Sequence, residues 1–308
     1  MKRNVTRALA LAAVLALNAA FGAAGQTTAV APVDYFGVKM SPGNYKRVIS
    51  LAPNITETVY FVGQFKRLVG VTNYDTYPPE VEGLAKVGGF VDPDLEIILS
   101  LKPDLVLAYR GNPLPAVNKL KELGLRVFVL DSPQTLDELS RQTVMIARLL
   151  QADKKHMTLA EGLAKRITEA RTRAAKLPEH PRVLMLAGSI QPPFYAAGRG
   201  NYIDDLISSA GGVNAFTAQG FSIMTPEAFL RADPEFLIIP ETAKEGFRKA
   251  MMQALKREPQ LAATTAVKKG QIIFIEEDVI SRPGPRIIHA LSAVQEAITE
   301  HVAADEKE

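Results

Sequence analysis

Two stretches of this 308-residue chain repeat one another at a fixed offset of 131 positions. The shared features are a Gly-Phe pair, a glutamate and a proline, at Gly89-Phe90 and Gly220-Phe221, at Glu96 and Glu227, and at Pro103 and Pro234. Each proline stands between a helix-like segment and an apolar run, SLKPDLVL in the first stretch and RADPEFLI in the second. Chance likeness between any two strand–helix units is the alternative. One offset that aligns all three features favours two lobes of similar architecture.

Apolar runs rich in β-branched residues alternate with segments of helical spacing along both stretches. The runs predict buried strands at 47–52, 68–72, 104–109, 126–131, 182–187, 236–240 and 271–276. Helical spacing separates the first four runs, at 54–62, 94–101 and 114–123. Strand–helix–strand order implies parallel strands with crossover helices. The predicted fold class is therefore α/β, with two Rossmann-like lobes built on parallel sheets.

Residues 136–176, between the two stretches, are almost wholly helix-forming. Leu159, Leu163 and Ile167 recur at four-residue spacing, and Pro178 and Pro181 follow them. A flexible linker would be rich in glycine and serine instead. We therefore expect a single long rigid helix to join the lobes. The predicted divisions are a signal peptide (1–25), an N-terminal arm or short hairpin (26–45), a first lobe (46–150), a connecting helix (151–178) and a second lobe (179–308).

The first 25 residues have the composition of a cleavable secretory signal. Lys2, Arg3 and Arg7 precede the apolar run 8–17, and small residues occupy 22–25. That run is shorter than the ~20 apolar residues a membrane helix needs, which weighs against the alternative of an uncleaved anchor. The sequence contains no cysteine, so neither a disulfide nor a lipid on an N-terminal thiol is expected. These features predict a protein that is free in a periplasm.

Net charge disappears when the predicted signal peptide is removed. The full chain has 36 basic and 33 acidic residues, and the leader holds three of the cations and none of the acids. A mature chain with no formal net charge gives no sign of a nucleic-acid partner or a polybasic membrane contact. We therefore expect no nucleic-acid partner, and we expect the chain to act as a monomer.

Sequence signatures of enzymes are mostly missing. The chain has no cysteine nucleophile, no G-x-S-x-G elbow, no P-loop and no complete G-x-G-x-x-G. Its four histidines are His156, His180, His289 and His301, and none follows a predicted strand of the first lobe. We therefore expect no enzyme, no metal site and no resident cofactor. An enzyme or a sensory domain on the same architecture is the alternative from a different class.

The loops after the predicted strands are rich in aromatic and hydrogen-bonding residues. In open parallel sheets, ligands bind outside the carboxyl ends of the strands, so two facing lobes would share one cleft. The loop motifs are TNYDTYPPE (72–80), Gly-Phe followed by Asp-Leu-Glu (89–96), LKPDLVLAYRGN (101–112), QPPFYAAG (191–198) and DVISRPGPRI (278–287). An aromatic lining suits a large, partly apolar ligand.

Together these motifs resemble the periplasmic binding proteins that feed importers of cobalamin, ferric siderophores and haem, over residues 47–293. The cobalamin-binding proteins are the members that the chain resembles most. The resemblance implies the substrate-binding component of an ABC importer, which carries cobalamin or a related corrinoid to the membrane permease. A ferric siderophore or haem is the alternative ligand. The chain departs from the family in having no tryptophan, a residue that often surrounds the corrin in these proteins.

The resemblance also implies roles for particular residues. The ligand-binding positions are Tyr74, Phe90, Tyr109, Phe194, Tyr195, Phe221, Asp278, Val279, Ile280, Ser281 and Arg282. The positions that the resemblance implies for docking onto the permease are Glu96 and Glu227, the two glutamates that the internal repeat pairs. In the iron-chelate alternative, Tyr74 or Tyr77 would reach the iron, and Arg282 or Arg286 would pair with carboxylates of the ligand.

Overall fold

The computed structural model describes residues 31–188 and 190–305. The predicted signal peptide lies outside these residues, as do positions 26–30 of the predicted arm. Within the described ranges, none of the helices combines the length and the apolar character needed to cross a bilayer.

Five parallel strands form the sheet of the first lobe. They are β1 (Val48–Ser50), β2 (Leu68–Val71), β3 (Ala85–Lys86), β4 (Leu105–Tyr109) and β5 (Val127–Leu130), in the order β3-β2-β1-β4-β5. Helices α1 (Pro53–Phe61), α2 (Leu95–Ser100) and α3 (Leu114–Glu122) follow β1, β3 and β4, with 3-10 turns at Phe65–Arg67 and Pro79–Gly83. Strands β1, β4 and β5 are buried along their whole length, as expected for parallel strands covered on both faces.

Two helices, α4 (Leu136–Leu149) and α5 (Lys154–Ala174), connect the lobes. The predicted connecting helix is confirmed as α5, which spans ~31 Å at 1.5 Å per residue. Its buried face includes Leu163 and Ile167, whereas Leu159 is 46% exposed. Helix α4 is a second bridge: the helix-forming segment 136–176 divides after Leu149 into two helices, where the sequence predicted a single one. Its Leu136 and Leu139 belong to the core of the second lobe, and residues near its other end belong to the core of the first.

The second lobe has the same connectivity as the first. Its strands are β6 (Arg182–Met185), β7 (Phe194–Ala197), β8 (Val213–Asn214), β9 (Phe221–Met224), β10 (Phe236–Glu241) and β11 (Ile272–Glu276). The parallel sheet has the order β11-β10-β6-β8, so β8, β6, β10 and β11 occupy the places of β2, β1, β4 and β5. Strands β7 and β9 pair separately as an antiparallel ribbon. The helices are α6 (Tyr202–Ala210), α7 (Pro226–Ala232), α8 (Phe247–Arg257), α9 (Pro259–Ala262), α10 (Thr265–Lys269), α11 (Glu277–Ile280) and α12 (Ile287–Asp305).

The offset of 131 relates the two lobes in side-chain detail as well. Asp94 and Thr225 cap the first turns of α2 and α7, each by accepting a hydrogen bond from the backbone N–H three residues on. One turn later, Ile98 and Phe229 are both fully buried. The structure therefore confirms the repeat as two copies of one strand–helix plan.

An arginine at the start of the first strand of each lobe, Arg47 directly before β1 and Arg182 as the first residue of β6, binds the end of the corresponding helix. Arg47 Nε lies 3.2 Å from the carbonyl oxygen of Lys102, and Arg182 Nε lies 3.0 Å from that of Asp233. Lys102 and Asp233 both have positive φ, at 47° and 34°. Each helix ends in a left-handed residue, and its last carbonyls accept hydrogen bonds from a cation.

Residues 31–45 form a short hairpin at the edge of the first sheet. Val33 pairs with Lys39, and the Asp34 carboxylate accepts hydrogen bonds from backbone N–H groups inside the turn. The N–H of Tyr35 donates to the carbonyl of Val129 at 2.7 Å. The arm thus covers part of edge strand β5.

Candidate functional site

Segments that follow the strands of the two lobes meet at one boundary. Thr76, after β2, donates a 2.5 Å hydrogen bond to the Asp278 carboxylate, after β11. Asn54, after β1, donates to the carbonyl of Pro283 at 3.4 Å. The carboxyl ends of both parallel sheets therefore face a shared boundary, the place where ligands bind in such sheets.

Phe90 and Tyr109 form the aromatic pair of the first lobe, in which Phe90 is partly exposed and Tyr109 is 8% exposed and packs in the first-lobe core. Their ring centroids lie 6.2 Å apart with the rings tilted. Gly111 has a φ of +118°, and a Cβ there would come within 3.0 Å of the Phe90 ring. Glycine is therefore required at this position both by the backbone conformation and by the close approach of Phe90.

Polar contacts fix the orientation of this aromatic pair. The Asn112 amide donates to the carbonyl of Phe90 at 2.9 Å, and its oxygen accepts the N–H of Tyr109 at 2.7 Å. The Tyr109 hydroxyl donates to Ser132 Oγ at 3.2 Å. Burial raises the pKa of Tyr109, so its side chain stays a neutral phenol.

Tyr74 is an aromatic side chain of the first lobe that is open to solvent. Its side chain is 58% exposed, and its N–H donates to Thr72 Oγ1 at 3.2 Å. Its carbonyl accepts a 3.0 Å hydrogen bond from Arg282 of the other lobe. The backbone of Tyr74 is thus held at the lobe boundary while its ring remains available.

Tyr195, Phe221 and Tyr202 form the aromatic surface of the second lobe. Tyr195 stacks on Phe221 at 6.3 Å, with 24° between the ring planes, and Phe221 packs at 6.3 Å against Tyr202. Tyr195 is 44% exposed, whereas Tyr202 is buried and donates to the carbonyl of Ile280. Burial is the main cause that raises the pKa of Tyr202, and a smaller charge interaction with Tyr109 of the first lobe raises it further. The rings of this group that reach solvent are therefore those of Tyr195 and Phe221.

Three of the side chains predicted to contact ligand belong to the core instead. Phe194 is fully buried, with its ring 4.9 Å from that of Phe229. Val279 and Ile280 are buried in the core of the second lobe. Phe194 faces inward because it alternates with Tyr195 along β7, and successive strand residues point to opposite faces. The side-chain roles predicted for Phe194, Val279 and Ile280 are therefore wrong.

Asp278 and Arg282, also predicted to contact ligand, bind across the lobe boundary in this structure. Arg282 Nη2 lies 2.8 Å from Asp278 Oδ1, and Arg282 Nη1 lies 3.3 Å from Glu57 Oε1 on α1. Arg286 makes a two-point contact with Glu57, at 2.8 Å for both nitrogen–oxygen pairs. Ser281, between them, is exposed. Sequence reasoning did not single out Glu57, because only its three-dimensional partners distinguish it from an ordinary helix carboxylate.

Arginines near the strand ends each have an acidic partner. Besides the pairs at Arg282 and Arg286, Arg110 lies 3.1 Å from Asp131 after β5. A cavity of about 530 Å³ beside Asp278 is mainly acidic, with Glu241, Lys244, Glu276 and Glu277 in its lining. Arg110, Arg282 and Arg286 therefore each already have a carboxylate partner.

Glu96 and Glu227 hold equivalent exposed positions in the two lobes. Each lies in the first turn of its helix, α2 or α7. The pKa of Glu227 is lowered by a hydrogen bond from its own backbone N–H and by the Thr225 hydroxyl. Both side chains lie at the solvent surface.

Two of the histidines bind nearby groups, and Tyr77 packs against an arginine of the other lobe. His156 binds Asp153 at 2.8 Å, and His180 binds the carbonyl of Gly211 at 2.8 Å. The Tyr77 ring lies 4.2 Å beneath the Arg286 guanidinium. Across residues 31–188 and 190–305, no three histidine, aspartate or glutamate side chains are grouped so that they could hold a metal ion.

Known proteins resemble the chain over most of its length. A family model described as "Periplasmic binding protein" matches residues 48–279. An uncharacterized ABC transporter substrate-binding lipoprotein, YvrC of Bacillus subtilis, is 28% identical over 82% of this chain and 80% of its own length. The apo periplasmic heme-binding protein RhuT of Roseiflexus sp. RS-1 superposes with a TM-score of 0.72 at 27% identity, covering 85% of this chain and all of its own. The periplasmic vitamin B12 binding protein BtuF of Vibrio cholerae gives 0.70 at 28%, covering 87% and 100%.

Proposed function

Since this chain belongs to the periplasmic binding protein family, we propose that it captures a corrinoid such as cobalamin between its lobes and delivers it to the permease of an ABC importer. The observation that supports the proposal is an aromatic pair in each lobe, Phe90 with Tyr109 and Tyr195 with Phe221. Flat aromatic groups on both sides suit a large, flat, partly apolar ligand. The vitamin B12 binding protein of similar fold supports the choice of a corrinoid.

The charges at the boundary favour a ligand without several anionic groups. Arg110, Arg282 and Arg286 each have a carboxylate partner already, and the adjoining cavity is mainly acidic. A ligand carboxylate would have to displace a protein carboxylate from an arginine, at a cost in broken charge-assisted hydrogen bonds. The amide-bearing rim of a corrinoid can accept and donate hydrogen bonds without such an exchange.

An iron chelate, either haem or a ferric siderophore, is the second candidate. The observation in its favour is the exposed phenol of Tyr74, an oxygen donor at the lobe boundary that could reach iron. Tyr77, the other tyrosine considered for this role, is covered by Arg286. The heme-binding protein of similar fold supports this alternative.

The proposed role is that of a carrier that changes no bond in its ligand. It needs no catalytic residue, no resident cofactor and no metal ion, and no nucleic acid takes part. We propose a monomer, because one chain holds both aromatic pairs. Glu96 and Glu227, one on each lobe, would meet cationic sockets on the permease subunits.

We further propose export by a cleaved signal peptide to the periplasm, without a lipid anchor. The basic and apolar start of the sequence supports the first point, and the lack of cysteine supports the second. The relative YvrC is named a lipoprotein, so the two proteins would differ in anchoring. Mass spectrometry of the periplasmic fraction should find an N-terminus near Gln26, whereas full-length chain in the membrane would contradict the proposal.

A binding assay with three ligands tests the proposed function. Purified mature protein is mixed with cyanocobalamin, haemin or a ferric siderophore, and the melting temperature and heat of binding are measured. Binding to the folded state raises the melting temperature by mass action, so cyanocobalamin should produce the largest shift. If only haemin or the siderophore shifts the melting temperature, the second candidate replaces the first. If none of the three binds, both candidates fail.

A further inference from the structure

A buried carboxylate of the first lobe is held by two arginines of the second. The Glu57 side chain is only 1% exposed, and those of Arg282 and Arg286 are 16% and 13% exposed. Arg286 approaches Glu57 with two nitrogens on two oxygens, the arrangement that fixes orientation best. We call Glu57, Arg282 and Arg286 the inter-lobe latch. Its partners are more than 220 positions apart in the chain.

The latch also holds the segments that border the proposed ligand site. Arg282 donates to the carbonyl of Tyr74 at 3.0 Å and to Thr76 Oγ1 at 2.9 Å. Thr76 in turn donates to Asp278. The loop that carries Tyr74 in one lobe is thereby tied to the segment after β11 in the other.

The charges of the latch fit a structural contact better than an anion site. Glu57 and Asp278 balance Arg282 and Arg286, and Glu276 adds a further carboxylate 3.2 Å from Arg286. Burial lowers the pKa of Arg286, but hydrogen bonds and charge interactions with Glu57 and Glu276 together outweigh it and raise the pKa above its ordinary value. A buried ion pair of this kind adds little net stability, but removing one partner strands the other charge. The latch therefore contributes more to the geometry of the lobe boundary than to the stability of the fold.

We propose that Glu57 is a positioning residue: through Arg282 and Arg286 it fixes the relative orientation of the lobes before ligand binds. The cleft is then already formed in the free protein, and binding does not have to draw two loose lobes together. The part of this inference that concerns affinity rests on the proposed function. The part that concerns lobe orientation does not, because it applies to the ligand-free protein.

The lack of cysteine allows a direct measurement of lobe orientation. Asn118→Cys on α3 and Lys268→Cys on α10 place one exposed spin label on each lobe, with no other thiol to react. Double electron–electron resonance then gives the inter-lobe distance distribution of the full mature chain without ligand. We expect a narrow distribution in the parent protein and one about twofold broader after Glu57→Gln, because lobe orientations other than the latched one become populated. Glu82→Gln, a change of an exposed carboxylate in the 3-10 turn Pro79–Gly83, should leave the distribution narrow.

Cyanocobalamin affinity provides the second readout. If Glu57→Gln reduces the competent orientation to about a tenth of the population, the apparent Kd rises about tenfold. Glu82→Gln should leave the Kd unchanged. An unchanged distance distribution in Glu57→Gln would overturn the proposal, and so would a broadened distribution with unchanged affinity. If the parent protein does not bind cyanocobalamin, the proposed ligand fails while the distances still decide the orientation.

A variant that strands no charge guards against misfolding of Glu57→Gln. Thr76→Val removes only the hydroxyl shared by Asp278 and Arg282 and keeps the shape of the side chain. If Glu57→Gln gives no cooperative thermal unfolding, Thr76→Val should still broaden the inter-lobe distance distribution. A distribution as narrow as that of the parent would then refute the latch.

Discussion

Arg47 and Arg182 make the same hydrogen bonds in the two lobes. Each guanidinium lies beside the first strand of its lobe. Arg47 donates to the carbonyls at the end of α2, which carries Glu96 in its first turn, and Arg182 donates to those at the end of α7, which carries Glu227. Since unsatisfied carbonyls carry the negative end of the helix dipole, each arginine stabilises a helix end from a distant part of the chain. The two glutamates proposed to dock the permease are thus presented by helices anchored in the same way.

Replacing either arginine by alanine should lower stability to a similar extent. We expect each change to reduce the free energy of unfolding by about 1 kcal/mol, because charge-assisted hydrogen bonds to carbonyls are lost at a partly exposed site. Chemical denaturation monitored by circular dichroism measures the loss. Arg141→Ala, which removes an exposed guanidinium from α4, is the control and should change the free energy of unfolding little. A loss confined to one lobe's arginine would contradict the equivalence of the two helix ends.

Removing the Phe221 ring should weaken ligand binding without unfolding the protein. Phe221→Ala is expected to cost about 1–3 kcal/mol of cyanocobalamin binding, through lost stacking and burial. Isothermal titration calorimetry measures the change. Tyr109→Phe is the matched comparison: it keeps the ring and removes only the hydroxyl that donates to Ser132, so affinity should fall less than in Tyr109→Ala. Equal affinities for parent and Phe221→Ala would remove this ring from the site.

Phe194 and Tyr195 should respond oppositely to alanine substitution, although they are adjacent. Phe194→Ala opens a cavity in the second-lobe core and should lower the free energy of unfolding by about 3–5 kcal/mol. Tyr195→Ala removes a side chain that is 44% exposed, so it should weaken binding while the melting temperature changes little. Thermal unfolding and calorimetry on both variants separate the two effects. If Tyr195→Ala destabilised the fold as much as Phe194→Ala, the inward and outward assignments would be wrong.

The paired glutamates should affect transport and not binding. Glu96→Ala combined with Glu227→Ala is expected to abolish uptake, because charges of this kind set orientation on a partner more than affinity. The Kd for ligand should remain that of the parent. Uptake in cells that depend on this importer, together with calorimetry on the purified variant, gives both readouts. Glu122→Ala with Glu300→Ala removes two other exposed carboxylates as a control, and normal transport by the Glu96 and Glu227 variant would refute the docking role.

Buried Asp75 should give stability a measurable pH dependence. Burial is the main cause that raises its pKa, against hydrogen bonds from the N–H and hydroxyl of Thr72 that lower it. A carboxyl whose pKa is higher in the folded state takes up its proton at a higher pH when the protein is folded. The free energy of unfolding therefore increases as the pH is lowered from above the folded-state pKa to the unfolded-state pKa. The parent should therefore gain melting temperature relative to Asp75→Asn as pH is lowered from 7 to 4. A constant difference between the two proteins would contradict this assignment.

Much of the architecture could be predicted because it follows from local patterns. All seven predicted strands exist, and the offset that pairs Glu96 with Glu227 relates helix caps and buried side chains. The missed strands are β3 and β8, of two residues each, and the ribbon strands β7 and β9. A strand of two residues is too short to show a hydrophobic periodicity. The ribbon strands β7 and β9 pair with each other through contacts that the sequence of neither strand indicates.

The site was harder to predict because it depends on which way each side chain faces and on contacts between residues that are far apart in the sequence. The QPPFYAAG motif marks an aromatic pair, but which ring faces outward depends on which face of the ribbon the core covers. The segment 278–282 was recognised as important, yet its Asp278 and Arg282 bind across the lobe boundary in the free protein. Glu57 acquires its role only when Arg282 and Arg286 approach from the other lobe.

Helix α4 limits how the lobes can be recombined. Leu136 and Leu139 are encoded with the first lobe, but their side chains fill the core of the second. A chimera that joins the first lobe of one relative to the second lobe of another at residue 150 would therefore place foreign side chains inside the second core. A crossover before residue 136 keeps the second core intact, but it places foreign Ile146 and Leu149 side chains inside the first core. Neither end of α4 is therefore a neutral crossover point, because the helix belongs to the cores of both lobes.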